Sequence, residues 1–399
     1  MSRDVVITGV GCVGAFGLGL PALAAALRRG EPLGSPMDRS AGWHRDNAAT
    51  LVASCPALDL DRWVSPQAAR RMSDLSRFAV ATARMALENA NLAPDAVRSP
   101  RACVSLATAF GPGAFTGQLA RQILEKGGRA ASPFLFTDCV ANAAAGQVAI
   151  DLGITGPNTT ICEREAGPLL ALAHGANEIA NDRADVCLAG AVDEMKGLSH
   201  ALLDRFRALS RPGPRGEAPR PFDRRRDGVL AGEGATILVL EAEPIARARR
   251  ANVLARVGPT VRAFDPTAGR ASFGRGDEAL AATLRTRLGS RLAEVDAVIA
   301  SAAGSRRGDA LDAAILRRVF PTLPRVLAPK AVHGEYGGGT LAAAILALQG
   351  AEFAVPVPCT TPDPSLGIPL VAGAVNAHRV LCSALAAGGA SAWTILETP

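Results

Sequence analysis

The sequence predicts an α/β protein, and two observations lead to that prediction. Short runs of continuous apolar character recur along the chain, as in strands that are buried on both faces of a sheet. These runs alternate with longer segments, rich in Ala and Leu, that have helical spacing. The predicted strands cover residues 5–10, 102–107, 159–161, 186–191, 236–241, 297–302 and 393–397, and the predicted helices cover 74–90, 115–125, 167–180, 309–318 and 340–349.

The elements follow a similar order in two parts of the chain. The segment 156–180, GPNTTICEREAGPLLALAHGANEIA, contains a tight turn, a short β-branched strand and a helix with almost no polar face. A loop dense in Pro, Arg and Gly covers 210–227, and a polar, Arg-rich stretch at 243–252 separates the two parts. We therefore predict two similar units, residues 1–245 and 246–399.

The glycines near the N-terminus resemble a dinucleotide-binding fingerprint. VVITGVGCVG satisfies GxGxxG directly after a predicted strand, with Gly9, Gly11 and Gly14. The fingerprint also needs a second strand that ends in an acid about 20 residues further on, and that distance falls in the loop RRGEPLGSP. We therefore interpret these glycines as close-packing and turn residues.

Composition excludes several classes of protein. The formal net charge is +6, from 43 basic and 37 acidic residues, and the short Arg clusters have no aromatic residues between them. This pattern disfavours nucleic-acid binding and suits an acidic protein partner. The eight cysteines form no CxxC motif, which favours reduced thiols over disulfides or a metal site. The chain has no signal-peptide pattern and no apolar run of about 18 residues, so we expect no membrane span and a cytoplasmic location.

Several motifs together resemble those of the β-ketoacyl-ACP synthases. RPFDRRRDGVLAGEGA at 220–235 is similar to the family stretch RPFDxxRDGFVxGEGA, and GPN at 156–158 resembles the turn before the family nucleophile. KAVHGEYGGG at 330–339 resembles the KSxxGHxxGA loop. The glycines at 388–389 resemble those of the GFGGTNA segment near the end of the family sequence. The resemblance spans essentially the whole chain. It implies the thiolase fold, in which two similar halves form a five-layered αβαβα body that dimerises.

The resemblance places three altered residues at the catalytic positions. Seven residues after Asn158, the position of the nucleophilic cysteine holds Glu165. The position of the first histidine corresponds to Ala303, and the second histidine is replaced by Glu335. The implied mechanism needs a thiolate whose thioester stays reactive and two histidines that stabilise a developing enolate. Losing one such donor costs roughly 100- to 1000-fold in rate, so we predict no independent synthase activity.

Two nearby residues keep a supporting role in this interpretation. His333 lies two residues before the second altered histidine position and is the only spare histidine there. Lys330 is the retained lysine of the KSxxGH loop. Because two nearby acids cannot both stay ionised cheaply without a cation, we hypothesise that Lys330 pairs with Glu165.

The resemblance implies the function of a chain-length factor of a type II polyketide synthase, closest to the reducing, aryl polyene type. Such a subunit forms a heterodimer with an active ketosynthase and bounds the tunnel for the growing acyl chain. It holds no cofactor directly, and the phosphopantetheine arm of the acyl carrier protein enters through the partner. The expected tunnel residues are Phe110, Ala114, Phe115, Thr116, Phe134 and Thr137.

Two alternatives remain from the sequence. One is a decarboxylase that makes an acetyl primer from malonyl-ACP, for which His333 is the only candidate oxyanion donor. The other is a homodimeric, non-catalytic scaffold that has lost its association with a synthase. Carbon dioxide release by the purified protein tests the first alternative, and a pull-down with an active ketosynthase tests the second.

Overall fold

The computed structural model describes residues 3–214 and 216–399. Most of the longer strands form one large mixed sheet. In chain order the strands are β1 (Val5–Gly14), β2 (Gly17–Leu18), β3 (Ser35–Pro36), β4 (Leu51–Val52), β5 (Ala102–Ala107), β6 (Asn158–Ile161), β7 (Val186–Asp193), β8 (Gly234–Ala242), β9 (Ala255–Phe264), β10 (Ala297–Ile299), β11 (Arg325–Leu327), β12 (Glu352–Phe353), β13 (Gly373–Ala374), β14 (Arg379–Leu385) and β15 (Ala390–Glu397). The β5 bounds equal the predicted ones.

Helices alternate with these strands along the chain. They are α1 (Gly19–Arg29), α2 (Pro66–Ala69), α3 (Asp74–Asn89), α4 (Gly113–Lys126), α5 (Pro133–Phe136), α6 (Ala143–Leu152), α7 (Gly167–Ala180), α8 (Gly197–Arg205), α9 (Glu243–Ala248), α10 (Asp277–Leu288), α11 (Arg306–Val319), α12 (Lys330–His333) and α13 (Gly339–Leu348). Short 3₁₀ helices cover Pro94–Val97, Gly128–Ala130 and Gly289–Glu294. Within the described ranges, no helix is both long and apolar enough to cross a bilayer.

The main sheet consists of two groups of five strands with the same topology. Its strand order is β11-β10-β14-β15-β9-β1-β8-β7-β5-β6, with β2 beside β1. In each group the first strand pairs antiparallel with the last (β1 with β8, β9 with β15), and the outer pairs are parallel. The groups join where Val6 pairs with Arg256 and Ile7 with Ala255. The chain is thus two similar halves.

The helices form three layers around the two halves of the sheet. The central helices α7 and α13 contact each other, and α7 contacts strands of both halves. Helices α3 and α6 cover the outer face of the first half, and α10 and α11 lie over the second. This is the αβαβα arrangement that the resemblance implied, so the predicted fold class is confirmed. The division at residues 245 and 246 falls inside α9 and stays a prediction.

Strand β8 shows why these strands are mostly apolar on both faces. Leu238 and Leu240 face the central core around α7 and α13, while Ile237 and Val239 face the core under α3. Because successive side chains point to opposite faces, a strand between two helical layers needs apolar residues on both of its faces. Strand β9, which lies between β15 and β1, is only half-buried and contains Gly258 and Pro259, so its sequence lacks that signal and does not predict the strand.

The N-terminal glycines allow α3 to lie directly against β1. A Cβ at Gly9 would clash with the carbonyl oxygen of Ala86, and a Cβ at Gly11 would clash with that of Thr82. Both neighbours are backbone atoms of α3, which cannot move like the end of a side chain. The close-packing interpretation of these two glycines is therefore confirmed.

We expect Gly11→Ala to destabilise the protein by about 1–3 kcal/mol, because a methyl group must be inserted into a tightly packed contact. Urea denaturation measures this change. Gly146→Ala on α6 is the matched control, because a Cβ there meets no atom within 4 Å. A helical Gly→Ala change in open space is instead expected to stabilise by roughly 0.5–1 kcal/mol. Equal effects of the two substitutions would contradict the close-packing interpretation.

Candidate functional site

Glu165 lies between the end of β6 and the start of α7, where the resemblance places the nucleophile. The residue is partly buried, and within the described ranges its Oε2 is buried without a hydrogen-bond partner. Burial raises the pKa of Glu165 from 4.5 to about 7, and the nearby carboxylate of Glu335 also raises it, while Lys330 and Arg164 oppose the shift. The position therefore holds a carboxyl group that is largely protonated below neutral pH.

Lys330 and Glu335 form a buried ion pair beside this carboxyl group. The Nζ–Oε1 distance is 2.9 Å, and the two side chains are 2% and 17% exposed. Burial raises the pKa of Glu335, and the ammonium of Lys330 opposes that shift. The hypothesis that Lys330 pairs with Glu165 is thus wrong, because the ion-pair partner of Lys330 is Glu335. Lys330 is the first residue of α12 and Glu335 lies two residues after its end, so their pairing needs no approach between distant segments.

His333 is fully buried and its donor capacity is already used. Its Nδ1 lies 2.8 Å from the carbonyl oxygen of Gly334, which can only accept, so Nδ1 carries the proton. Burial lowers the pKa of His333 to about 4, so the ring is neutral and Nε2 is an acceptor without a partner in the described chain. A Cβ at Gly339 would overlap the ring. In this tautomer Nε2 offers no proton to an oxyanion.

Ala303 follows β10 in a loop that is fixed by a buried acid. The N–H groups of Ala303 and Gly304 both donate to Oδ1 of Asp309, each at 3.1 Å. Burial raises the pKa of Asp309 to about 7, while its backbone hydrogen bonds oppose the shift. Gly304 has a φ of +102°, and a Cβ there would clash with the carbonyl oxygen of Gly228. These hydrogen bonds fix the backbone of the loop, but Ala303 supplies no side-chain donor.

Phe115 on α4 and Phe134 on α5 form a partly exposed apolar face, and the other expected tunnel residues lie in or beside the same two helices in sequence. The rings of Phe115 and Phe134 are 6.2 Å apart between centroids. Phe110 is 37% exposed and Phe134 is 47% exposed, so neither is an ordinary core residue. Ala114 and Phe115 are half-buried, whereas Thr116 and Thr137 are exposed. The face is built by the start of α4 together with α5.

Two consecutive buried acids at the end of β7 were missed by the sequence reasoning. Asp193 accepts from the N–H of Ala109 at 2.6 Å and from that of Gly337 at 2.9 Å. Glu194 accepts from the N–H of Leu75 at 2.8 Å and from that of Ala114 at 2.5 Å. Burial raises the pKa of Asp193 to about 6 and that of Glu194 to about 7. The only signal in the sequence was a pair of acids ending an apolar strand.

Arg164 is a further residue of the site that the sequence did not predict. Its Nη2 donates to the carbonyl oxygen of Arg270 at 2.6 Å, and the guanidinium packs against Gly388. The side chain therefore links the loop that carries Glu165 to the glycine segment. Cys162 is exposed and lies one residue beyond the end of β6.

Comparisons with known proteins find relatives by sequence. Residues 2–246 match the family model described as beta-ketoacyl synthase, N-terminal domain. The chain is 28% identical over 335 residues to a 3-oxoacyl-[acyl-carrier-protein] synthase 2 of Staphylococcus aureus, covering 80% of this chain and 82% of that protein.

Solved structures are similar over the full length of the chain. The ishigamide ketosynthase/chain length factor superposes with a TM-score of 0.90 at 27% identity, with 100% of both chains covered. A type II polyketide synthase acyl-carrier protein in complex with its ketosynthase, bound to the hexaketide, gives a TM-score of 0.89 at 20% identity with the same coverage, which shows the fold alone. Fold, motifs and the match over more than half of the sequence lead to one conclusion: the chain belongs to the β-ketoacyl synthase family.

Proposed function

We propose that this chain is a non-catalytic ketosynthase-like subunit that pairs with an active ketosynthase and sets the length of the acyl chain. The observation that carries the proposal is the state of the three catalytic positions. A carboxylate at Glu165 that attacked a thioester would form a readily hydrolysed anhydride. Ala303 offers no side-chain donor, and an ionised Glu335 repels both a malonyl carboxylate and an enolate. The cation beside Glu335, Lys330, is already paired with it.

An exposed apolar face supports the proposed partner. Several large apolar side chains of α4, α5, α6 and the segments beside them are exposed; they are Phe110, Ile123, Leu124, Phe134, Phe136, Val140 and Ile150. Strand β6 lies at one end of the main sheet, and an edge strand and exposed apolar side chains both favour association with another chain. One full-length structural neighbour is itself described as a ketosynthase/chain length factor. The acyl carrier protein would deliver its phosphopantetheine arm to the partner's site.

The tunnel hypothesis predicts that bulk at Ala114 shortens the product. We expect Ala114→Trp, in the complex with the active ketosynthase, to remove at least one two-carbon extension, because packed protein yields little space to an added ring. Mass spectrometry of the released acyl chains measures the length. Gln118→Trp, one helical turn further along α4 at an exposed position, is the control and should leave the length unchanged. An unaltered length in the Ala114 variant would remove this residue from the tunnel.

Carbon dioxide release from malonyl-ACP tests the proposed lack of catalysis. The purified chain alone should release no more than the spontaneous background, and the complex with an active ketosynthase should elongate. Decarboxylation by the isolated chain would favour the priming alternative, and the His333→Ala variant would then show whether His333 is responsible. Failure to bind any active ketosynthase while forming stable homodimers would favour the scaffold alternative.

A further inference from the structure

The first turn of α4 is capped by a side chain from a distant part of the sequence. The residue before the helix is Pro112, which gives no side-chain hydrogen bond. The first N–H groups of a helix have no partner inside it, and here the carboxylate of Glu194 accepts from Ala114 at 2.5 Å. The acceptor comes from the end of β7, 80 residues further along the chain.

The same carboxylate holds a second helix. Its other oxygen accepts from the N–H of Leu75, in the first turn of α3, at 2.8 Å. Glu194 is fully buried, so water cannot replace either bond. One side chain thus fixes the starts of α3 and α4 relative to each other. Neighbouring Asp193 extends the connection, because it joins Ala109, before α4, to Gly337, after Glu335.

We infer that Glu194 is a positioning residue for chain length, because it fixes the first turn of α4 and so the place of Ala114 and Phe115 in the tunnel wall. The inference rests on the proposed function, since α4 limits a product only if the chain bounds a tunnel. In this proposal Glu194 influences the length of the acyl chain without contacting that chain. Phe115 in turn contacts Phe134 on α5, so a shift of the first turn reaches the opposite side of the face.

Glu194→Gln tests the inference with little change of shape. A carboxylate offers an acceptor to both helices, whereas an amide offers one carbonyl oxygen and presents an NH₂ group to the other N–H. One bond is therefore lost. We expect hydrogen exchange of the amides at 113–117 to accelerate by about tenfold or more. We also expect the complex with the active ketosynthase to release a broader distribution of chain lengths than the wild type.

Asp223→Asn is the matched control. Asp223 is also buried, and its carboxylate accepts from the N–H groups of Arg225 at 2.8 Å and Thr361 at 2.6 Å, away from α4. It should destabilise the chain without changing exchange at 113–117 or the product distribution. If Glu194→Gln does not fold, Gly113→Ala replaces it, because a Cβ there lies 3.1 Å from the Ser199 hydroxyl and displaces the same turn.

The outcomes separate the inference from the proposed function. Unchanged exchange at 113–117 would overturn the inference whatever the products are. Faster exchange with an unaltered product distribution, while Ala114→Trp still shortens the chain, would overturn it and leave the proposed function standing. A broader distribution in Asp223→Asn would assign the effect to general destabilisation and also overturn it. If Ala114→Trp has no effect either, the tunnel hypothesis fails and the inference fails with it.

Discussion

Lys330→Met is expected to destabilise the protein by about 3–5 kcal/mol at pH 8, because it leaves a buried carboxylate without its cation. Lys330 is 2% exposed and lies 2.9 Å from Glu335, while Glu165 is close enough for Lys330 to influence its pKa. Without the ammonium, both carboxyl groups must either remain charged in a poor environment or take up protons. Urea denaturation at pH 8 measures the loss.

A double variant separates the ion pair from general packing effects. Lys330→Met combined with Glu335→Leu removes both charges, and replacing a whole buried pair by apolar residues of similar size is often neutral. The double variant should therefore recover most of the stability that the single variant loses. A single variant within about 1 kcal/mol of the wild type, which is an ordinary mutational effect, would show that the pair is not holding this site together.

Glu165→Gln is expected to stabilise the protein at high pH by up to about 3 kcal/mol, because each tenfold change in proton affinity between the folded and unfolded chain corresponds to roughly 1.4 kcal/mol. The pKa of Glu165 is raised from 4.5 to about 7 in the folded chain. Between these values the folded chain holds a proton that the unfolded chain has lost, so wild-type stability falls as the pH rises through that window. Glutamine carries no proton to lose and escapes this fall.

The stabilisation should therefore grow from about pH 4 to about pH 8, the range that spans both pKa values, and level off above it. Thermal or urea denaturation of both proteins at several pH values measures the difference. Glu163→Gln, two residues earlier at another partly buried position, is the control and should change stability by no more than about 0.5 kcal/mol. A constant difference between Glu165→Gln and the wild type across this range would contradict the raised pKa.

The two expected results describe one local arrangement. A single ammonium neutralises Glu335, and the second acid, Glu165, is accommodated by burial in its protonated form. His333 adds no charge, because burial lowers its pKa to about 4. The position where the resemblance places the nucleophile thus holds a carboxyl group, which is a poor nucleophile. Such a site keeps its shape, which is what a subunit that bounds a partner's tunnel requires.

The local sequence determined the fold class and led to the proposal of three altered catalytic positions. Strands such as β5 and β7 are buried on both faces and are therefore mostly apolar, and that signal is contained within a few consecutive residues. The positions of Glu165, Ala303 and Glu335 could be counted from neighbouring motifs. Strand β9 could not be found this way, because its half-buried and Pro-containing sequence gets its strand conformation from pairing with β15 and β1.

Only the tertiary structure decided how the site's groups interact. It paired Lys330 with Glu335 instead of Glu165, and it fixed the proton of His333 on Nδ1. It also brought Glu194 from the end of β7 to the first turns of α3 and α4, across 119 and 80 residues of sequence. The physical reason is that burial, hydrogen-bond partners and pKa depend on which segments pack together, and residue order along the chain does not specify those contacts one by one.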